Sequence, residues 1–351
     1  MINDNIIPKS SFKAVIVTLI RSHNESIHRA INMLHSIELF YPYNYSVIIF
    51  HDSNFTLTMK HYLKSCVYLD LKFELINFTS MIINPTVTID YVRREKLIDH
   101  YIRGYSVVHR PLGYRLMCRF WSYDVFYLKS IQKYDYIMRM DDDSYFTESI
   151  KNDFFVEIHN QSLDYGFRAI VWDIKLAGSE IPRILTSYRK QCIIDCFPFI
   201  SHDAIYTNFF ITRISFWHQP VVKNFIQKLV NNDTIIMEGL GDGNIHAAVL
   251  ALASNTKQSK MFYFSYGHNS HLYRPRNKIF HLDEKHQWLK SFDNTCDKLI
   301  IIDPITNQLK KIQMKKRSNY QIDNSSIVKN YSLTKTIVFV IFYMLLLWNN
   351  V

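Results

Sequence analysis

The N-terminal part of the chain alternates between short apolar runs and longer segments with helical periodicity. Residues 13–20 are rich in β-branched side chains, and residues 25–40 repeat apolar positions at helical spacing. Residues 45–50 resemble a further buried strand and residues 72–76 another strand, and residues 57–65 between them favour a helix. A β-α-β-α-β order predicts a parallel sheet that helices cover on both faces. We therefore expect an α/β fold.

The remainder of the chain continues this alternation, with one unclear region. Strands are predicted over residues 134–143, 164–172, 208–216 and 260–264, and helices over residues 114–129, 221–231 and 244–253. Residues 85–113 have no clear pattern, although the charged residues 91–101 can form an exposed helix. Because no internal repeat or linker interrupts the pattern, we expect a single catalytic domain over residues 13–317, after an N-terminal tail of residues 1–12.

The C-terminal part has a different composition. Residues 318–335 are predicted to be a polar linker, and residues 336–348 carry no charge. This apolar run is shorter than the roughly 20 residues that cross a bilayer comfortably, but its flanks can lengthen it. We expect a short membrane span or tail anchor, and the alternative is a buried strand or helix. The basic residues just before it, at positions 310–317, suit a membrane surface.

Composition excludes several functional classes. Hydrophobic residues make up 48% of the 351 residues and charged residues 21%, as in an ordinary globular protein. The chain has only 8 glycines and neither a GxGxxG nor a GxxxxGK[ST] motif, so dinucleotide-binding and P-loop folds lose their main support. The net charge of +10 is spread along the chain without a nucleic-acid-binding signature. We expect no nucleic-acid partner.

Cysteines and glycosylation sequons bear on the compartment. The five cysteines have no CxxC pair and no zinc-ligand spacing, and Cys192 and Cys196 can pair with each other or elsewhere. The sequence does not fix the connectivity. Eight Asn-x-Ser/Thr sequons are compatible with the lumen of the secretory pathway, although a chain rich in Asn and Ser also produces them by chance. They lie at Asn24, Asn44, Asn54, Asn77, Asn160, Asn232, Asn324 and Asn330.

Three consecutive carboxylates end the apolar run that begins at Tyr136. Open α/β sheets bind their ligands at the carboxyl ends of such strands. Because successive strand residues face opposite sides, Asp141 and Asp143 should share one side and Asp142 should face away. Two such carboxylates suit a hard divalent cation, which can in turn hold a diphosphate. The alternative is a solvated acidic turn.

Three other stretches carry chemically active side chains. Glycines around Leu240 allow a tight turn, in which Asp242 can cap the next helix and Glu238 can face a cleft. His268 directly follows an apolar run and can complete a metal site that carboxylates begin. Arg115 and Arg119 lie one helical turn apart, where they can bind phosphates or pair with surface acids.

Taken together, these blocks resemble the fungal α-1,2-mannosyltransferase family, retaining enzymes with a GT-A fold. The likeness extends from about residue 13 to residue 275. It is carried by residues 14–21, Tyr114-Arg115, residues 117–120, Lys133-Tyr134-Asp135, Arg139, residues 165–167, Asn208-Phe209, Glu238, Gly241-Asp242 and His246. The family's most specific block is Tyr-Glu-Arg-Trp-Gly-Asp-x-x-x-His. This chain keeps the Glu, the Gly-Asp and the His of that block but has Gly239-Leu240 in place of Arg-Trp.

The resemblance implies a GT-A-like, Rossmann-type fold with a mixed, mainly parallel sheet, and a metal-dependent mechanism. Asp141 and Asp143 stand where the family has its Glu-Pro-Asp/Asn version of the DxD motif. With His268, they would hold Mn²⁺. Glu238 would be the catalytic carboxylate, either as a nucleophile or as a stabiliser of an oxocarbenium-like state.

The resemblance also implies the substrates and the compartment. The donor would be GDP-mannose, and the acceptor a mannoside on N- or O-linked glycans, joined by an α-1,2 linkage. Arg21, Arg119 and Asp242 would contribute to the donor site together with the two metal-side carboxylates. We expect a Golgi or ER membrane location with the catalytic domain in the lumen. The alternatives are a GT-A transferase for another nucleotide sugar and a catalytically inactive carbohydrate-binding relative.

Overall fold

A seven-stranded sheet forms the centre of the computed structural model, which describes residues 12–102, 110–172, 181, 203–253, 258–274, 279–281 and 295–314. Its strands are β1 (Ala14–Ile20), β2 (Val47–His51), β3 (Leu71–Leu75), β4 (Tyr136–Met140), β6 (Tyr165–Phe167), β9 (Phe209–Arg213) and β10 (Ser259–Met261). The other strands are β5 (Ser144–Phe146), β7 (Ile170–Trp172), β8 (Asp203–Ile205), β11 (Tyr266–His268), β12 (His271–Tyr273), β13 (Ile279–His281), β14 (Lys298–Ile302) and β15 (Leu309–Gln313).

Helices connect most of these strands. They are α1 (Asn24–Phe40), α2 (Leu57–Cys66), α3 (Pro85–Ile102), α4 (Leu112–Arg119), α5 (Val125–Tyr127), α6 (Phe154–Asn160), α7 (Ile214–Trp217), α8 (Pro220–Asn231), α9 (Thr234–Met237) and α10 (Asp242–Ala253). A π-helical turn, Phe120–Asp124, joins α4 to α5, and 3₁₀ turns occupy Phe78–Met81 and Thr295–Asp297.

The main sheet is mixed but mainly parallel. Its strand order is β10-β6-β9-β4-β1-β2-β3, and β1 pairs in parallel with both β2 and β4. β9 is antiparallel to its two neighbours, β4 and β6. Every residue of β2 and β4 is buried, as expected for strands that helices cover on both faces. The predicted α/β fold with a mixed, mainly parallel sheet is confirmed.

The alternation of side chains along β1 divides the core into two layers. Val15 and Val17 pack in the layer that contains Trp121 and the buried faces of α8 and α10. Ile16 and Ile20 pack on the opposite side, against the buried face of α1. This period of two is the pattern that a strand requires when both of its faces are covered.

A smaller antiparallel sheet stands beside the carboxyl end of β4. Its strand order is β13-β12-β11-β5, and β5 begins directly after the three aspartates. In the β5–β11 ladder, Ser144 is paired with His268. This register places a histidine from late in the chain next to the acidic turn.

The C-terminal hairpin, formed by β14 and β15, packs against α1. The side chain of Asn32 on α1 accepts from the backbone N–H of Ile300 at 2.6 Å and donates to its carbonyl at 2.9 Å. A disulfide joins Cys66, at the end of α2, to Cys296, just before the hairpin. Cys192 and Cys196 lie outside the described residues. A disulfide such as Cys66–Cys296 persists in an oxidising compartment.

Several predicted boundaries differ from the structure. The helix predicted over residues 114–129 begins at Leu112, passes through the π-helical turn and ends at Tyr127. The strand predicted over residues 164–172 is two strands, β6 and β7, that belong to different sheets. Between them, the buried Arg168 donates to the carbonyls of Phe264 and Arg274. The strand predicted over residues 208–216 ends at Arg213, where α7 follows.

The chain divides into two units, residues 1–315 and residues 316–351. The second unit lies outside the described residues, and with it the predicted linker and the apolar run of residues 336–348. Among the described residues, no helix combines the length and the apolar character that a membrane span needs. The domain boundaries and the membrane segment therefore stay predictions.

Candidate functional site

The acidic turn is held by backbone hydrogen bonds at both ends. The N–H of Asp141 donates to the carbonyl of Asn208 at 3.0 Å, and the N–H of Ser144 donates to the carbonyl of Asp141 at 3.0 Å. The side chains of Asp141 and Asp143 remain 28% and 15% exposed. The buried strand β4 thus delivers carboxylates that are anchored through their backbone and still accessible from outside.

His268 completes a group of three ligand-type side chains. Its Nε2 lies 3.0 Å from Oδ1 of Asp143, and its side chain is 19% exposed. One ligand atom each from Asp141, Asp143 and His268 lie within 4.8 Å of one another. The backbone N–H of Asn269 donates to the carbonyl of Asp143 at 2.9 Å and ties the histidine strand to the turn. The structure thus brings together the three residues predicted from sequence.

The chemistry of this group fits a divalent cation. Two carboxylate oxygens and one imidazole nitrogen are a donor set that suits Mn²⁺ and similar metals. Three protein ligands would leave coordination positions for phosphate oxygens and water. The chemistry of the donor set is therefore consistent with the implied Mn²⁺ site.

The charges in the group are coupled. Burial alone would raise the pKa of Asp143, but the charge and hydrogen bond of His268 hold it below its usual value. Burial alone would lower the pKa of His268, but Asp143 outweighs it and the pKa is raised. Burial raises the pKa of Asp141, and Arg139 opposes that shift. A bound cation would replace the histidine proton as the partner of the carboxylates.

Asp142 belongs to a different environment. Its carboxylate accepts a hydrogen bond from the hydroxyl of Ser26, in the first turn of α1. Burial and the neighbouring Asp143 raise the pKa of Asp142 to about 7. The middle aspartate is thus bonded to α1, in agreement with the alternation predicted from the strand.

Arg139 lies beneath the turn and links it to the Gly-Asp block. Its Nε donates to Oδ1 of Asp141 at 2.8 Å, and its Nη1 donates to Oδ2 of Asp242 at 2.5 Å. The buried guanidinium stacks on the ring of Trp121 at 4.3 Å. Asp242, expected at the donor site, is itself buried and bonded to Arg139. It can therefore affect the site through Arg139, a residue to which the sequence resemblance assigned no role.

The two arginines of α4 form hydrogen bonds or ion pairs with other residues of the protein. Arg115 donates to the carbonyls of Ile236 and Met237 at 2.8 and 2.7 Å. Arg119 is buried with its guanidinium 3.3 Å from Asp124 and 3.4 Å from Asp233. The alternative of pairing with acids therefore describes Arg119, although these acids are buried rather than on the surface. Its contacts give no support to the predicted donor contact.

Arg21 lies at the carboxyl end of β1, the edge of the sheet where the donor is expected to bind. It is exposed at the end of β1, and its backbone N–H donates to the hydroxyl of Ser26 at 3.1 Å. Its positive charge lowers the pKa of Asp142, against the larger effect of burial. A contact between Arg21 and the donor remains a prediction.

Glu238 is exposed at the C-terminal end of α9. The next residue, Gly239, has a φ of 61°, a conformation that residues with a side chain rarely adopt. A Cβ at Gly239 would lie 3.1 Å from Cζ of Arg115. Gly239, which stands where the family has an arginine, therefore suits the positive φ and the limited space at this position. The turn then leads into Asp242 at the start of α10.

His246 is a core residue in this fold. Its Nδ1 is 2.6 Å from the hydroxyl of Tyr165, and its Nε2 is 3.1 Å from the carbonyl of Trp121. Burial lowers the pKa of His246 to about 4. The histidine of the most specific sequence block thus packs behind the site as a neutral, hydrogen-bonded side chain.

The family model described as glycolipid 2-α-mannosyltransferase matches residues 2–300. The chain belongs to this family. The predicted family and the predicted class of enzyme, a hexosyltransferase, are thereby confirmed.

Two curated relatives are similar over most of this chain. The O-glycoside α-1,2-mannosyltransferase omh1 of Schizosaccharomyces pombe is 22% identical over 277 residues, which cover 73% of this chain and 68% of the relative. The glycolipid 2-α-mannosyltransferase of Saccharomyces cerevisiae is 22% identical over 273 residues, which cover 72% of this chain and 59% of the relative. The match thus spans about two thirds of the length of the first relative and about three fifths of the second.

Two solved structures share the fold. The mannosyltransferase Ktr4p from Saccharomyces cerevisiae, in complex with GDP, has a TM-score of 0.64 at 18% identity, covering 75% of this chain and 72% of that one. Core-mannan synthase A from Aspergillus fumigatus, in its Mn/GDP form, has a TM-score of 0.65 at 17% identity, covering 79% and 82%. These structural similarities confirm the predicted fold, a single glycosyltransferase domain.

Sequence reasoning missed the residues that surround the three ligand-type side chains. Arg139 was noted as part of a strand and of the family resemblance but was given no role, and Ser26 was noted only as part of a helix. Tyr206, whose hydroxyl lies 2.7 Å from Nδ1 of His268, belongs to no motif. No local signal identifies such partners, because each contact joins segments that are far apart in the chain.

Proposed function

We propose that this protein is a retaining α-1,2-mannosyltransferase that transfers mannose from GDP-mannose to a mannoside. The observation that carries the proposal is the convergence of Asp141, Asp143 and His268 at the carboxyl edge of the sheet. Family membership supports the sugar and the linkage, since its curated relatives are named as α-1,2-mannosyltransferases. The GDP bound to Ktr4p and the Mn/GDP form of the Aspergillus enzyme support the nucleotide and the metal.

In this proposal Asp141, Asp143 and His268 hold Mn²⁺. A bound Mn²⁺ would supply Lewis-acid stabilisation of the leaving diphosphate. His268 loses its proton when it becomes a ligand, and Asp143 keeps the ionised form that its lowered pKa favours. Arg139 holds Oδ1 of Asp141, which leaves the other carboxylate oxygen for a ligand. The chain's own side chains thus orient the carboxylates before the donor arrives.

Glu238 is the proposed catalytic carboxylate. Its exposed position at the end of a short helix suits a group that faces a bound sugar. The anomeric carbon loses its bond to the diphosphate and gains one to the acceptor oxygen on the same face, while the proton of the acceptor hydroxyl passes to the departing diphosphate. Glu238 can attack that carbon first, so that two inversions retain the configuration, or it can stabilise positive charge on the sugar ring. Both roles require an ionised carboxylate.

The compartment and the acceptor belong to the same proposal. The Cys66–Cys296 disulfide supports an oxidising environment. We place the catalytic domain in the lumen of the Golgi or the ER, held to the membrane through residues 336–348. The acceptor is a mannose-containing glycan or glycoprotein on N- or O-linked chains. The name of the Schizosaccharomyces relative, an O-glycoside α-1,2-mannosyltransferase, supports the O-linked class.

A donor screen tests the function. The full chain is incubated with Mn²⁺, a mannoside acceptor and a series of nucleotide sugars, and the linkage in the product is determined. We expect transfer from GDP-mannose and an α-1,2 product. Transfer from a different nucleotide sugar would favour the alternative donor, and a failure to transfer or hydrolyse any of them would favour an inactive binding protein.

Variants then test the site. Asp143→Ala and Glu238→Ala should each remove most transfer activity with Mn²⁺. Asp90→Ala is the control, because Asp90 is an exposed acid on α3 whose partner is Arg93. If Asp143→Ala and Glu238→Ala both keep full activity, the site is assigned to the wrong residues.

A further inference from the structure

His268 makes polar contacts through both of its ring nitrogens. Nε2 lies 3.0 Å from Oδ1 of Asp143, on the side of the carboxylates. Nδ1 lies 2.7 Å from the hydroxyl oxygen of Tyr206. The imidazole therefore spans the space between the proposed metal ligands and a phenol.

A metal bond at Nε2 would decide which ring nitrogen of His268 carries the proton. A histidine that binds a cation through Nε2 has a bare Nε2, and the neutral ring then carries its proton on Nδ1. That N–H needs an acceptor, because an unsatisfied donor in a partly buried site is costly. The oxygen of Tyr206 is at the correct distance to accept it.

Tyr206 is itself held in place. It directly follows β8, and its backbone N–H donates to the carbonyl of Ala169 at 2.9 Å. Its ring stands edge-on to His268, with centroids 5.3 Å apart, and packs on Tyr273 at 5.1 Å. Its own proton can point to Tyr273, which leaves the oxygen lone pairs for His268.

We propose that Tyr206 is a positioning residue of the metal site. Its oxygen accepts the Nδ1–H of His268 and holds the ring in the tautomer and orientation that present Nε2 beside Asp143. Partners of this kind fix the ligating histidine in many metal sites and affect metal affinity without touching the metal. The inference rests on the proposed function, since it assumes that His268 is a metal ligand.

The same fold contains a matched pair without a ligand role. Tyr165 and His246 form the same contact, with the hydroxyl 2.6 Å from Nδ1, in the core behind the site. Tyr165→Phe and Tyr206→Phe each remove one phenol oxygen from one histidine. If the tyrosine served only packing, the two changes should resemble each other in their effect on metal binding.

The test measures Mn²⁺ affinity of the full chain with GDP, from the loss of the paramagnetic resonance signal of free Mn²⁺. Tyr206→Phe should weaken Mn²⁺ binding by about 10–100-fold, the range that such outer partners show. Tyr165→Phe should leave the affinity unchanged, and Asp143→Ala should abolish binding. For transfer, Tyr206→Phe should raise the Mn²⁺ concentration needed for half-maximal activity while kcat at saturating Mn²⁺ is largely kept.

The outcomes separate the two proposals. If the unaltered protein binds no Mn²⁺, or if Asp143→Ala binds it normally, the metal site itself is wrong. If the unaltered protein binds Mn²⁺ and Tyr206→Phe binds it equally well, the role of Tyr206 is overturned. Equal losses in Tyr206→Phe and Tyr165→Phe would also overturn it, because they would point to packing alone.

A second measurement needs no variant. The protein is labelled with ¹⁵N-histidine and loaded with Zn²⁺, a diamagnetic probe for the same ligands. The nitrogen spectrum of His268 should show a protonated Nδ1 and a metal-bound Nε2. A protonated Nε2 with a bare Nδ1 would reject the proposal even if Tyr206→Phe fails to fold.

Discussion

Arg139 and Asp242 form a buried ion pair, with Nη1 and Oδ2 2.5 Å apart. The same guanidinium donates to Asp141. One side chain therefore joins the acidic turn after β4 to the first residue of α10, four residues after Glu238. Because both partners of Arg139 belong to sequence blocks expected at the active site, the pair couples the proposed metal ligands to the turn that carries the proposed catalytic carboxylate.

Arg139→Lys should weaken both the fold and the reaction. A lysine keeps the charge but cannot donate to two carboxylates in fixed directions. We expect the free energy of unfolding to fall by about 1–3 kcal/mol, because one of the two carboxylates would lose its hydrogen-bond donor. We also expect kcat/KM to fall by about 10–100-fold, the loss typical of a group that orients a ligand. Denaturant titration and steady-state assays measure the two effects.

Arg213→Lys is the control for that change. Arg213 lies 3.6 Å from Asp164, but its side chain is 30% exposed, so we expect smaller losses of stability and activity than in Arg139→Lys. Full activity and unchanged stability of Arg139→Lys would show that the bridge has no role in either.

Glu238→Gln should separate catalysis from binding. The amide keeps the size of the side chain and removes the negative charge that the developing positive charge on the sugar requires. We expect kcat to fall by about 10²–10³-fold if Glu238 acts electrostatically, and by more if it forms a covalent bond. Mn²⁺ and GDP affinities, measured by calorimetry, should change little. A loss of GDP affinity with unchanged kcat would place Glu238 among the donor-binding residues instead.

His246 should make the protein less stable in mild acid. Its pKa is about 4 in the folded state and about 6.5 in an unfolded chain, so the unfolded chain binds more protons between these values. Stability from this residue is complete above about pH 6.5 and is lost as the pH falls toward 4. At pH 5 the loss should be about 2 kcal/mol, since each pKa unit corresponds to about 1.4 kcal/mol.

Denaturant titrations at pH 7 and pH 5 measure that loss. His246→Gln, although less stable at pH 7, should show a smaller drop between the two pH values than the unaltered protein does. Equal drops in both proteins would mean that other groups cause the acid sensitivity.

Gly239→Ala should be destabilising, whereas Gly113→Ala should not. Gly239 has a φ of 61°, and the added Cβ would approach Arg115 at 3.1 Å, so we expect a loss of about 1–2 kcal/mol. Gly113 lies in α4 with no atom within 4 Å of an added Cβ, and alanine should favour the helix by up to about 1 kcal/mol. Thermal unfolding of the two variants gives the comparison. A neutral Gly239→Ala would show that this turn adapts to a side chain.

The sequence predicted most of the sheet because local patterns encode it. β1, β2 and β3 were identified from apolar runs of the correct length, and the placement of Asp141 and Asp143 followed from strand alternation. His268 was a candidate ligand from its place after an apolar run, and the family resemblance joined it to these two carboxylates. Its position depends on the pairing of β5 with β11, which links segments 122 residues apart in the case of Tyr266 and Ser144.

Other features were not predictable because they depend on tertiary packing. The π-helical turn after Arg119 interrupts a segment whose apolar spacing fits a continuous helix. The burial of Arg119 against Asp233 and Asp124 is set by the approach of distant segments, not by their own sequence. The pairing of Cys66 with Cys296 likewise joins α2 to a turn 230 residues later.

The C-terminal hairpin has a consequence for synthesis on the ribosome. Its apolar residues Leu299 to Ile302 pack with Tyr145, which lies two residues after Asp143. Asn32, near the start of the chain, exchanges two hydrogen bonds with the backbone of Ile300. The packing around the acidic turn is therefore completed by residues 299–302, which are among the last described residues to leave the ribosome. A nascent chain that stops before residue 295 would expose α1 and Tyr145, so quality control in the cell can distinguish a truncated chain from a finished one.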